Sequence, residues 1–313
     1  MHSYLAFGIP ILSDIVLPAF YQISDTSDIG ESNPVHIKLG KVPQMLKEPA
    51  LETKPFSIFN EKEFLYHIPN VARYYVSNGS EIIIEAGRED YNEVLLYLYS
   101  NCMAAILFQR SLIPFHVSGI FINTDKVLLF AAPSRTGKST TAVMLQQKGY
   151  APFTDDTATL KMEEDKCLAQ ASYPMIRLWQ NSINNQTVVR MDDKHILRND
   201  VQLNKYGFLF HDQFVHGKVE VAGLVFLEAE GSGIVTERIK PGLAMQNLGN
   251  NIYRKQWIKG MNKQILQFQL LTAIAHNVPA WKATRPKHDA SYERFADAIE
   301  SGIIHEILKS EVA

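Results

Sequence analysis

The sequence predicts an α/β fold in two parts: an N-terminal β-rich domain over residues 1–110, ending in a buried linking helix, and a C-terminal α/β domain over 111–313. Three observations predict it. Residues 1–90 break into short strand-like runs separated by turns, with prolines at 10, 18, 34, 43, 49 and 55. An apolar stretch at 94–108 follows, long enough for a core helix. Beyond it, the uniformly apolar strand 127–131 runs through a loop ending Gly137-Lys138-Ser139 into a helix, as in an α/β unit whose strand is covered on both faces.

In the first part, 36–39 and 64–68 are short strands. Residues 74–76 and 82–84 flank Ser77-Asn78-Gly79-Ser80, where Asn-Gly supplies the positive φ angles of a hairpin turn. Residues 93–110 then form one helix, apolar on most sides, with Pro114 marking its end. The second part opens with a strand at 115–123, a turn at Thr124-Asp125-Lys126 and the strand 127–131. A helix over 140–148 carries Ala142, Val143 and Leu145, and Gly149 ends it where a left-handed cap is expected. A short strand next delivers Asp155 and Asp156, and a hairpin follows, with strands 157–162 and 167–170 about a 163–166 turn. Residues 180–206, polar and rich in Asn and Asp, read as a mobile excursion; its Lys194, Arg198 and Lys205 read as solvated surface. A strand at 219–227 precedes a helix at 264–276 with Ile265, Phe268, Leu271 and Ala275 on one face. A strand at 278–283 and a closing helix with Phe295, Ile299, Ile303 and Ile307 complete the chain.

Composition narrows the function. The 313 residues are 46% hydrophobic and 20% charged, as in a globular protein, and the net charge of −2 gives no reason to expect nucleic acid or an anionic membrane as partner. The stretch 94–108 contains Ser100 and Asn101 and is too short to span a bilayer. Neither a signal peptide nor a membrane span is expected. Cys102 and Cys167, the two cysteines, suit neither a zinc site nor a disulfide framework, which points to a reducing cytoplasm. Trp179, Trp257 and Trp281 read as core or interface residues.

The chemistry lies in the loop and the aspartates. Gly-Lys-Ser is common by chance, but between a buried strand and a helix it has the setting of a phosphate-binding P-loop. There, backbone N–H groups and the helix N-terminus cradle phosphate oxygens, Lys138 reaches the terminal phosphates and the Ser139 hydroxyl meets Mg²⁺. Ala132, Pro133 and Arg135 depart from the G-x-x-x-x-G-K-[ST] pattern. An isolated Asp-Asp pair commonly caps a turn; after such a loop, Asp155 and Asp156 suit metal binding and proton acceptance.

The order Phe115-His116-Val117-Ser118-Gly119, Pro133-Ser134-Arg135-Thr136-Gly137-Lys138-Ser139, Asp155-Asp156 and Ile176-Arg177-Leu178 resembles the catalytic domain of HPr kinase/phosphorylase. Tyr4-Leu5-Ala6-Phe7-Gly8 and Phe108-Gln109-Arg110-Ser111-Leu112-Ile113-Pro114-Phe115-His116 further resemble its shorter relatives, the HPr-kinase-like tailoring kinases of lasso-peptide biosynthesis. The resemblance implies a P-loop, HPr-kinase-like C-terminal domain that uses ATP and Mg²⁺ to phosphorylate a serine of a peptide or small protein. It also favours assembly as a homo-oligomer.

Position by position, the resemblance implies that Ser134, Arg135, Thr136, Gly137, Lys138, Ser139 and Thr140 bind the triphosphate, with Ser139 and Asp156 on the metal. Asp155 is implied as the base, His116 as a neighbour of the transferred phosphoryl group, and Lys138 and Arg177 as catalytic cations. Met175 stands where the family has a metal-linked glutamate, which leaves kinase activity without the reverse, phosphorylase-type reaction. Three other readings stay open at this point: a bifunctional regulator of the carrier protein HPr, a kinase of free serine or another small metabolite, and a non-catalytic module that merely binds ATP.

Overall fold

The computed structural model describes residues 1–24, 33–88, 91–179, 196–200, 205–287 and 291–312. It is a mixed α/β structure of large sheets and few helices. The first part is a nine-stranded sheet of β1 (His2–Ala6), β2 (Ile9–Ser13), β3 (Tyr21–Gln22), β4 (Val35–Leu39), β5 (Glu52–Lys54), β6 (Ser57–Phe59), β7 (Glu63–Ile68), β8 (Ala72–Ser77) and β9 (Glu81–Ala86). Its order is β3-β1-β2-β4-β9-β8-β7-β6-β5. The β8–β9 hairpin turns through Asn78 and Gly79, at φ 54° and 62°, as the Asn-Gly pair predicts.

The linking helix runs as α1 (Asn92–Tyr97), a π-helical turn (Leu98–Cys102) and α2 (Met103–Gln109). It is buried along most of its length, and Tyr74 ties it to the sheet by donating to the Val94 carbonyl at 2.9 Å.

The second part contains β10 (Pro114–Phe115), β11 (Val117–Phe121), β12 (Lys126–Ala131), α3 (Lys138–Gln147), β13 (Pro152–Thr154), β14 (Ala158–Glu163) and β15 (Lys166–Ala171). After these come β16 (Met175–Trp179), β17 (Ile196–Asp200), β18 (Lys205–Leu209), β19 (Lys218–Glu228), β20 (Val235–Arg238), α4 (Pro241–Asn250), α5 (Gln264–Asn277) and β21 (Ala280–Thr284). The chain closes with α6 (Tyr292–Ile299), a π-helical turn (Glu300–Ile304) and α7 (His305–Val312). The central order is β10-β14-β15-β19-β12-β11-β13, with β21 also paired to the long β19 and β20 to β21. β12 runs parallel to β19 and antiparallel to β11.

The apolar run of β12 follows from this place. Val127, Leu129 and Ala131 enter the main core, which also holds Phe64 and Phe108 from the first part and so runs across both parts. Leu128 and Phe130 enter a second core under α3 and the closing helices. Both cysteines are free and buried, as are Trp257 and Trp281. Among the described residues, no helix is long and apolar enough to cross a membrane.

Three expectations change. The strand 115–123 is broken at His116: Phe115 pairs with β14, whereas Val117 onward pairs with β12. Part of the 180–206 excursion is ordered, since β18 pairs with both β16 and β17 in a three-stranded sheet; residues 180–195 and 201–204 lie outside the described residues. That pairing is non-local, and polar composition does not reveal it. On α5, Leu271, Ile274 and Ala275 are buried, but Ile265 and Phe268 are 77% and 64% exposed. The buried stripe faces α4, where Gly249 leaves room for Leu271, and Ile265 and Phe268 fall outside it.

Candidate nucleotide and catalytic site

β12 ends at Ala131 and α3 begins at Lys138, so 132–137 form the connecting loop. Gly137 precedes the helix at φ 113°, a conformation that excludes most side chains. Arg135 also has positive φ, at 69°. Ser134 and Arg135 are exposed, Thr136 and Ser139 half-buried, and Lys138 and Thr140 buried. The Lys138 ammonium folds back onto its own loop, donating to the carbonyls of Ala132 at 2.7 Å and Pro133 at 3.4 Å. The Ser139 hydroxyl donates to Asp155 Oδ1 at 2.7 Å, bridging the start of α3 to the end of β13.

Asp155 is 3% exposed and surrounded by donors. Its Oδ1 also accepts from the Ser118 hydroxyl at 2.5 Å, and its Oδ2 accepts from the Arg177 backbone N–H at 2.8 Å. Asp156 behaves differently. A φ of 68° turns its side chain away from that nest, and Oδ2 accepts from Arg177 Nη1 at 3.2 Å. At the break in the strand, His116 Nδ1 donates to the Asp156 backbone carbonyl at 2.8 Å and lies 3.8 Å from Asp156 Oδ1. A carbonyl can only accept, so Nδ1 carries the hydrogen and a neutral ring leaves Nε2 bare. Tyr253, from the segment after α4, approaches the His116 ring to 6.1 Å and lines a small pocket with Asp156, Thr157, Tyr99 and Phe7.

The electrostatics follow from burial. Desolvation pushes the His116 imidazole below its ordinary range, although the Asp156 carboxylate pulls the other way. Burial also works against the Arg177 charge, but Tyr173 and Asp156 outweigh it and hold the guanidinium firmly protonated. Arg177 is 8% exposed, and its Nη2 donates to the Tyr173 hydroxyl at 3.3 Å.

The structure thus brings Ser139, Asp155, Asp156, Arg177 and His116 into one hydrogen-bonded group beside the loop. The two aspartates have different partners: Asp155, expected as the base, accepts from the Ser139 hydroxyl, whereas Asp156, expected on the metal, accepts from Arg177 and lies beside His116. Met175 is buried in β16 and contributes no carboxylate. Among the described residues, no three His, Cys, Asp or Glu side chains cluster as a metal cage. Mg²⁺ needs none, because it is ordinarily held by one or two protein oxygens together with water and substrate phosphates. The paired oxygens of Ser139 and Asp155 fit that demand.

Five residues not expected from the sequence also border the group or its loop: Ser118, Tyr173, Tyr253, Arg285 and Tyr292. Ser118 had a signal, as a hydroxyl within an otherwise apolar strand. The other four come from segments without a recognisable motif, brought in only by the fold.

No protein-family model matches the chain, and no curated protein does. Among solved structures it is similar to the HPr(Ser) kinase/phosphatase from Coxiella burnetii, at 14% identity and a TM-score of 0.33. That likeness covers 63% of this chain and 98% of the other.

Proposed function

We propose that this protein is a Mg²⁺- and ATP-dependent kinase that phosphorylates a serine hydroxyl of a peptide or small protein. One observation carries the reading: the P-loop serine and a buried aspartate share a 2.7 Å hydrogen bond, with a second carboxylate and a histidine beside them. Bound Mg²⁺-ATP supplies the transferable phosphoryl group and a divalent charge that offsets the negative charge of the terminal phosphates. Ser139 and Asp155 would hold the metal. Lys138 would exchange its loop carbonyls for phosphate oxygens, alongside the N–H groups of 134–140.

Of the two aspartates, Asp156 is the better proton acceptor. Asp155 is already engaged by the Ser118 and Ser139 hydroxyls and the Arg177 backbone N–H, which commits its oxygens to the metal side of the group. Asp156 lines the pocket, with its carboxylate oriented by Arg177 and its backbone carbonyl held by the His116 Nδ1–H. The bare Nε2 of His116 is a further acceptor for an incoming hydroxyl. The peptide acceptor is inferred from the sequence resemblance to lasso-peptide tailoring kinases, and the apolar Met175 favours kinase activity without reversal.

Mass spectrometry of a serine-containing precursor peptide, incubated with the protein and Mg²⁺-ATP, tests the reading. It should reveal one added phosphoryl group on a serine. Tight ATP binding with no phosphorylated peptide, HPr or free serine would replace it with a binding module.

A further inference from the structure

A second cation grips the phosphate loop, from a part of the chain that no motif marks. Arg285, just after β21, is 4% exposed. Its Nη2 donates to the Thr136 carbonyl at 3.1 Å and to the Tyr292 hydroxyl at 2.7 Å, and its Nη1 donates to the Pro286 carbonyl at 3.0 Å. The guanidinium carbon lies 4.1 Å from the centroid of the Tyr292 ring.

Each of these partners is neutral, and no described carboxylate pairs with Arg285. A guanidinium so far removed from water ordinarily has an anion beside it, because desolvating an uncompensated charge is costly. The loop backbone closes directly on this pair. A Cβ added to Gly137 would lie 2.9 Å from Tyr292 Cε1 and 3.5 Å from Arg285 Nη2. Lys138 holds the carbonyl at one end of the loop and Arg285 the carbonyl near the other, so two positive charges flank 132–137.

We propose that Arg285 is a nucleotide-binding residue whose guanidinium takes polyphosphate oxygens of the bound nucleotide, with Tyr292 holding it against the loop. The planar fork of donors on Arg suits that anion better than a Lys ammonium does. The inference rests on the nucleotide-binding reading above, and adds a contact from the C-terminal segment.

Calorimetric titration of Mg²⁺-ATP and of tripolyphosphate, at several salt concentrations, tests it on the full chain, R285Q and R285K, with folding checked by thermal melting. R285Q should bind both ligands about tenfold to a hundredfold more weakly, the effect of losing a charged hydrogen bond. R285Q should also show a shallower salt dependence than the native chain, because one screened charge contact is gone. R285K should fall between them. Native affinity in folded R285Q would overturn the proposal, as would weakening with an unchanged salt dependence, the mark of a loop scaffold. If R285Q does not fold, R285K decides, and native affinity there would overturn it equally. Failure of the native chain to bind either ligand would instead remove the nucleotide-binding reading itself.

Discussion

Asp155→Asn and Asp156→Asn form the most informative pair of variants. In the native chain the Asp155 carboxylate accepts three hydrogen bonds, at 2.5, 2.7 and 2.8 Å. Asparagine can keep all three. The Ser118 and Ser139 hydroxyls rotate to accept from its amide N–H₂, and its carbonyl keeps the Arg177 N–H. Each bond falls from the charged class to the neutral one, by ~1 kcal/mol, and cheaper burial of a neutral group offsets part of the loss. A net destabilisation of about 1–2 kcal/mol leaves the protein folded. The lost charge, however, removes the carboxylate proposed to hold the metal, so Mg²⁺ should cease to strengthen ATP binding.

Asp156→Asn has the opposite signature. Asparagine is among the residues that tolerate the φ of 68° found here, so the backbone is kept. ATP affinity and its Mg²⁺ dependence should stay near native, while phosphoryl transfer falls by about 10²–10⁴, the usual contribution of a positioned base. Calorimetry with and without Mg²⁺, together with a single-turnover transfer assay, reads both. The reverse pattern, with Asp156→Asn abolishing the Mg²⁺ effect and Asp155→Asn sparing it, would refute the assignment.

Three further outcomes are expected. Ser118→Ala removes a donor from the buried Asp155 carboxylate and should cost ~1–3 kcal/mol in urea denaturation; an unchanged midpoint would mean that this bond contributes nothing. His116 has a depressed pKa in the fold, so on acidification the unfolded chain takes up the proton first, and the contribution of neutral His116 is lost as pH falls below about 6.5. In His116→Asn, whose amide can still donate to the Asp156 carbonyl, stability should decline less between pH 7.5 and 5.5; parallel curves would contradict this. Gly223→Ala should destabilise by about 1–3 kcal/mol, since the new methyl would sit 2.7 Å from Trp281 Cζ3 and 3.1 Å from Leu128 Cδ1; a native melting temperature would indicate that the core yields freely.

Much of the fold was legible because its cause is local. β12 is apolar throughout because cores cover both its faces, and the Asn78-Gly79 turn has the positive φ its residues favour. Adjacent aspartates after a Gly-Lys-Ser loop marked where the hydrogen-bonded group lies, but not the different partners of the two carboxylates. Those partners depend on the positive φ of Asp156 and on donors from β11 and β16, which are distant in sequence. The break at His116 was hidden for a related reason: both halves of 115–123 look like strand, and only their different partners separate them. Arg285 and Tyr292 lie about 150 residues beyond the loop they touch, and no local pattern announces such a contact.

The most direct measurement is a crystal structure with a non-hydrolysable ATP analogue and Mn²⁺, whose anomalous signal locates the metal. A peak is expected within coordination distance of Ser139 Oγ and an Asp155 oxygen, directly or through one water, with the phosphates over 134–140. A metal bound at Asp156 alone, or a nucleotide lodged away from the loop, would contradict it.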